Sequence, residues 1–137
     1  MTNVLMDTQV DNLVRIGSKA SAPYSKFVVG AAVKCKSGAV LAGAKIENRS
    51  FGLTICAERV AMCSAVAGGE QDFVAIAVTA DSDEPIVPCG ACQQFLAEFN
   101  PDLIIVRATV RGQRKIENLS HLFADATRGI LKHADLT

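Results

Sequence analysis

The sequence has no surplus of charge. Its fourteen basic and fourteen acidic residues cancel, and the isoelectric point is about 6.7. Proteins that track phosphate backbones carry a basic excess, because neutralising phosphates supplies most of their non-specific affinity. A long nucleic acid is therefore not an expected partner. The chain also lacks an apolar run long enough to span a bilayer, so no membrane partner is expected. Met1 to Ser21 lack the continuous apolar segment of a secretory signal, since Asp7, Asp11, Arg15 and Lys19 interrupt it. A cytoplasmic location is the expectation. Internal repeats and low-complexity segments are missing, and 137 residues suit a single domain spanning 1–137. Histidine is scarce: His121 and His133 lie far along the chain, without ligand-like spacing.

Apolar residues, by contrast, are plentiful. They make up 50% of the chain, and the mean hydropathy is +0.26. A domain this small keeps much of its surface exposed, so the surplus is expected to be covered between subunits of a homo-oligomer. The apolar spacing predicts an amphipathic helix over 3–20. Phe27 to Lys36 and Ala39 to Glu47 read as a hairpin about Ser37-Gly38. After a loop at 49–54, Thr54 is placed to cap a helix over 55–67 that Gly68-Gly69 closes. Phe73 to Ala80 is apolar on both sides and reads as a buried strand. A helix over 89–99, a strand over 103–106, a turn and strand about Gly112 and helical turns over 118–133 complete the chain. This order predicts an α/β fold, a three-layer α/β/α sandwich on a mixed sheet.

Five cysteines in a reducing compartment point to metal binding or reactivity rather than disulfides. Cys35 and Cys63 read as small buried hydrophobes. The others form a pattern, Cys56-Ala57-Glu58 followed by Pro88-Cys89-Gly90-Ala91-Cys92. Cys89 and Cys92 are three apart, so in the first turn of a helix their sulfurs share one side. Cys56 falls near the start of the preceding helix, and helix N-termini favour the thiolates that zinc binds. Three ligands is the informative count. A structural zinc closes its tetrahedron with four protein ligands, whereas a catalytic one leaves a position for water. One zinc ion per chain is expected. Glu58 can then take a proton from that water and pass it to a leaving amine; in isolation it would be an ordinary first-turn acid. Arg59 is expected to donate hydrogen bonds to the sulfurs and offset their charge.

With PYSKFVVGAAV at 23–33, KIEN at 45–48, TICAER at 54–59 and PCGACQQ at 88–94, the chain resembles the small homotetrameric zinc-dependent cytidine deaminases over about residues 10–110. The resemblance implies a cytidine deaminase-like fold, a homotetramer and a small nucleoside-like substrate. It implies hydrolysis of the 4-amino group of a pyrimidine nucleoside to the uridine form and ammonia. It further implies that Phe27 stacks on the base, Glu47 accepts from the sugar 3′-hydroxyl, and the Ala57 backbone meets the amide edge of the base. Glu58 would also hydrogen-bond ring nitrogen N3.

Departures from the family pattern gather at the sugar end. Lys45 stands where the family has asparagine, Arg49 where it has alanine, and Phe51 where it has a tyrosine near the 5′-hydroxyl. HLFADAT replaces the LLPxxF segment, with Thr127 near its phenylalanine. Lys45 and Arg49 either meet an anionic group, such as a 5′-phosphate or carboxylated sugar, or face solvent or pair with Glu47 or Asp81. Other substrates therefore stay open: a cytidine nucleotide, a modified base or an antibiotic such as blasticidin S. A polynucleotide-editing deaminase would need the missing basic charge, and a non-catalytic zinc-stabilised domain would need a fourth ligand.

Overall fold

The computed structural model describes residue 12 and residues 15–125. Its strands are β1 (Val29–Cys35), β2 (Val40–Ala44), β3 (Phe73–Ala80), β4 (Ile104–Thr109) and β5 (Arg114–Asn118). They form one sheet in the order β2-β1-β3-β4-β5. β1 runs antiparallel to β2 and β3, β3 parallel to β4, and β4 antiparallel to β5, so the sheet is mixed as expected. The hairpin loop is one residue longer than Ser37-Gly38 alone would make it. Cys35 N–H donates to Ala39 O at 2.8 Å across Lys36, Ser37 and Gly38, and Gly38 takes a φ of 96°. A three-residue hairpin loop needs that left-handed residue at its end, which is why glycine stands there.

The helices are α1 (Ala57–Ala67), α2 (Gly90–Phe99) and a single turn, α3 (Leu119–Leu122). α1 starts later than Thr54 predicted. Cys56 is its N-cap, with extended φ −68° and ψ 150°, while the Thr54 hydroxyl accepts from Asn48 N–H at 3.3 Å. Phe51–Leu53 form a 3-10 turn within the expected loop. β4 continues to Thr109 rather than ending at Val106. Of the helix expected over 3–20, residues 15–17 are helical and most of the rest lies outside the described residues. The turns expected over 118–133 are described as α3, and residues 126–133, with Thr127 and His133, lie outside.

Alternation along the strands gives the sheet two apolar faces. On one, Val29, Val33, Ile76, Val78 and Ile105 meet Met62 and Ala65 of α1, Leu96 of α2 and Leu119 of α3. On the other, Ala32, Ala77 and Val106 take Ile16 from the helical residues near the N-terminus. The layering is thus helix, sheet, helix. Cys35 is buried as read, but Cys63 is exposed. The buried stripe of α1 runs through Ala57, Ala61, Met62 and Ala65, and Cys63 falls off it. No helix among the described residues is long and apolar enough to cross a membrane.

Helix α1 lies so close to the sheet that β2 has no room for a side chain at Gly43. A Cβ there would stand 2.4 Å from Ala61 N and 2.6 Å from Ala57 O. Both are backbone atoms and cannot rotate aside. Gly43→Ala is expected to destabilise the fold by about 1–3 kcal/mol, the usual cost of overpacking, and to lower the midpoint of thermal unfolding. Gly52→Ala, where a Cβ meets nothing within 4 Å, should leave it nearly unchanged. Equal midpoints for the two variants would contradict this packing.

Candidate active site

Strand register gathers the site at one edge of the sheet. Val29 pairs with Ala80, and Gly30 pairs with Ala44. The start of β1, the end of β2 and the end of β3 therefore lie side by side. The chain leaving β2 enters α1 through Cys56, and the chain leaving β3 enters α2 through Cys89, the N-cap residue of each helix. Two helix N-termini meet there.

Cys56 Sγ lies 3.7 Å from Cys89 Sγ, and these two with Cys92 Sγ all fall within 4.8 Å of one another. A tetrahedral zinc with bonds near 2.3 Å requires sulfurs about 3.8 Å apart, so spacing and donor type both fit that ion. Hydrogen bonds support the sulfurs. Arg59 donates to Cys56 Sγ at 3.4 Å, and Cys92 N–H donates to Cys89 Sγ at 3.4 Å. The Cys56 thiol is drawn down to about 5, first by the hydrogen bond from Cys92 and then by Arg59 and Cys89, against the effect of burial. Cys92, which gives that hydrogen bond and is itself buried, is pushed up.

Glu58 sits in the first turn of α1 and is 3% exposed. Burial pushes its carboxyl above the usual range, and the charge on Cys56 acts in the same direction, opposed by a hydrogen bond with Cys92. A carboxyl with raised proton affinity is suited to give a proton as well as to take one. Above it opens a cleft of about 180 Å³, bounded by Phe27, Ala57, Ile86 and Val87 together with Cys56 and Cys89. The sequence reading passed over Ile86 and Val87, although an apolar pair inside the polar segment 81–88 was a visible signal. It also passed over Arg107, because the strand was expected to end at Val106. Arg107 is 5% exposed, donates to Pro85 O at 3.1 Å and pairs with Glu117 at 2.9 Å, tying down the loop ahead of Cys89.

A second pocket, of about 380 Å³, adjoins the first and is lined by Tyr24, Ser25, Glu47, Phe51 and Thr54. Lys45 stands between the two. Its ammonium is 3.2 Å from Glu47 Oε2, 3.3 Å from Ser25 Oγ and 5.0 Å from the centroid of the Phe27 ring. Of the alternatives open for Lys45, pairing with Glu47 is the arrangement observed, and Asp81 pairs instead with Arg111 at 3.5 Å. Glu47 also accepts from the Ser25 hydroxyl and from the N–H groups of Tyr24 and Ser25, at 3.1 Å each. These contacts, the Ser25 hydroxyl first, lower its carboxyl to about 2. Ser25 is a site residue that sequence reasoning missed, since nothing in PYSKF distinguishes its serine from a turn residue. Arg49 is exposed and makes no hydrogen bond or ion pair with the described residues. Phe51 is 73% exposed and meets Tyr24 edge-on, with ring centroids 5.8 Å apart.

The chain is similar to known proteins in both sequence and fold. The profile described as the cytidine and deoxycytidylate deaminase zinc-binding region matches residues 7–108. The cytidine deaminase of Halalkalibacterium halodurans is 44% identical over 124 residues, covering 88% of this chain and 94% of that protein. That of Sporosarcina psychrophila is 40% identical over 109 residues, covering 79% and 80%. The crystal structure of the cytidine deaminase from Burkholderia pseudomallei superposes with a TM-score of 0.84 at 38% identity, over 90% of this chain and 100% of that one. The chain therefore belongs to the cytidine and deoxycytidylate deaminase family, and Cys56, Cys89 and Cys92 bind its zinc ion.

Proposed function

We propose that the protein hydrolyses the 4-amino group of cytidine and 2′-deoxycytidine, releasing ammonia and the uridine form. The observation that carries this is a buried carboxyl, Glu58, beside three converging sulfurs at the base of a cleft walled by one aromatic ring and two aliphatic side chains. A flat heterocycle suits such walls. Phe27 stacks on the base, Ile86 and Val87 confine it, and the Ala57 backbone meets its amide edge. Zinc, when bound, polarises a water molecule so that it ionises near neutral pH. Glu58 accepts the proton of the attacking water as oxygen bonds to C4 of the base. It passes that proton to N3, then carries the remaining proton of the C4 hydroxyl to the amine as the C4–N bond breaks, leaving C4=O and N3–H. One water is consumed and one ammonia leaves. Cys92, together with Arg59, favours the Cys56 thiolate.

Glu58→Gln should lower kcat by about 10²–10⁴, the range for losing a general acid–base group, with zinc content unchanged. Metal analysis alongside the kinetics checks this: zinc loss would make Glu58 a ligand instead.

A neutral substrate is favoured, because Glu47 already neutralises Lys45. A second reading, an anionic substrate, rests on Arg49, which has no partner among the described residues and lies in sequence between pocket residues Glu47 and Phe51. Ammonia release from cytidine, deoxycytidine, cytosine, cytidine 5′-phosphate and blasticidin S separates the two. Cytidine should be preferred to its 5′-phosphate, and Arg49→Ala should leave cytidine turnover within about threefold, as expected of an exposed charge. A preference for the phosphate that Arg49→Ala abolishes would establish the second reading.

The assembly we propose is a homotetramer. Phe51 and Leu53 are 73% and 64% exposed, and Ile46 and Tyr24 nearby are 49% and 48% exposed. An apolar patch of this kind marks an interface. Light scattering should return four times the 14.5 kDa chain mass, and a monomer mass would refute it.

A further inference from the structure

The loop that leads from β3 to Cys89 is held by side chains. Its carbonyl oxygens at Ser82, Pro85 and Pro88 accept, in turn, from Arg111 at 3.0 Å, Arg107 at 3.1 Å and Gln93 at 2.8 Å. The middle contact differs from the other two. Arg111 is more than half exposed and also meets the exposed Asp81 and Asp83, and contacts of that kind contribute little. Gln93 belongs to α2, the helix that the loop itself enters. Arg107 instead comes from β4, on the face of the sheet that it shares with Ile105, and it is buried. One arm of its guanidinium reaches Pro85 O, and the other donates to Glu117 Oε1 at 2.9 Å. Pro85 O belongs to the peptide joining Pro85 to Ile86, so the arginine holds the plane from which Ile86 and Val87 continue. Those two residues are walls of the cleft above Glu58. Ile86 packs on the core, and Val87 is half exposed.

The ion pair is a poor source of stability. Arg107 Nε and Glu117 Oε2 are buried without a hydrogen-bond partner among the described residues. Taking charge out of water costs about as much as such a pair returns, and two idle atoms add to that cost. What the pair does provide is direction. A planar guanidinium with one arm fixed on Glu117 aims the other at a single oxygen. We propose that Arg107 is a positioning residue for the substrate cleft: it anchors the Pro85 carbonyl and so sets where Ile86 and Val87 stand against the base. The proposal rests on the nucleoside reading above. The reacting groups are placed by other contacts. Cys56, Glu58 and Arg59 belong to α1 and its cap. Cys89, at the end of the loop, is held separately: Gln93 secures Pro88 O just before it, and Cys92 N–H donates to its sulfur. A displaced wall therefore loosens the hold on the base while the proton transfers keep their geometry.

The test replaces both partners, because removing one would leave a charge buried alone. Arg107→Met with Glu117→Leu keeps apolar volume and takes away the grip on Pro85 O. In the purified zinc-loaded enzyme, KM for cytidine should rise about tenfold, as for the loss of one hydrogen bond from a charged donor. kcat should stay within about threefold, the pattern of an interaction that ground and transition states feel alike, and zinc content should not change. Arg111→Ala should leave KM within about twofold, as for an exposed contact. Arg107→Lys keeps a charge facing Glu117 but has no fork to span two oxygens, so KM should rise there too. An unchanged KM in the folded double variant would overturn the proposal, and if that variant does not fold, an unchanged KM in Arg107→Lys does the same. A comparable rise in Arg111→Ala would sink it, since any loosening of the loop would then suffice. A fall in kcat with KM unchanged, or loss of zinc, would make the pair a support for Cys89 and refute it. Loss of the fold in both Arg107 variants would make the pair a folding element, which also refutes it. If the unsubstituted enzyme does not deaminate cytidine, the nucleoside reading fails and this proposal with it, whereas cytidine turnover with an unchanged KM in the variants removes this one alone.

Discussion

Three sulfurs must come within the edge length of one small tetrahedron, and the rest of the site depends on that meeting. Cys56 and Cys89 are 33 residues apart in the chain, yet their sulfurs stand 3.7 Å from each other. Neither is placed by its own helix alone. The pairing of Val29 with Ala80 and of Gly30 with Ala44 brings the ends of β2 and β3 to one edge, from which both helices depart. The depth at which α1 lies on the sheet is set by small residues, above all Gly43 beneath Ala57 and Ala61. Ala57 adjoins Cys56 and Glu58, so packing at Gly43 controls where ligand and carboxyl stand. The three central strands, β1, β3 and β4, are buried on both faces, and such a packed support is what a metal site of fixed bond length requires.

Electrostatics then shapes the chemistry. Three thiolates around one divalent cation leave a net negative charge, which opposes loss of a further proton from water. Several donors offset part of it: Arg59 on Cys56, Cys92 N–H on Cys89, and the positive ends of two helices. Glu58 is treated differently. It is buried beside an anionic sulfur, so its environment favours the protonated carboxyl while that of Cys56 favours the thiolate. Placing neighbouring groups in environments that drive their proton affinities apart is how one small site can both take and give a proton.

The pocket around Lys45 and Glu47 follows other rules. Nothing there needs bonds of fixed length, so its residues can change while the metal centre stays the same. Lys45, Glu47, Ser25 and Phe27 form one connected group joined by an ion pair, hydrogen bonds and an ammonium above a ring. None of these contacts involves a sulfur of the metal site.

The metal chemistry was legible in the sequence because it is local. The three-residue spacing of Cys89 and Cys92, the two-residue spacing of Cys56 and Glu58, and the scarcity of histidine together specify a three-sulfur site with an adjacent carboxyl. The strands and their order were legible too, through apolar alternation and turn glycines, with errors at the ends: Thr54 resembled a cap, and β4 outran its apolar core into Arg107. Cys63 misled because small residues on both sides of α1 hide which face is buried. What only the tertiary structure decided was how remote segments meet. The fate of Lys45 was a choice between solvent, substrate and Glu47, and it turned on Ser25, some twenty residues away, and on the register that brings β1 and β2 together. Residue types and short spacings fix what a site can do, because helix and strand geometry repeats over a few residues. Which charge finds which partner depends on distances between segments, and only packing sets those.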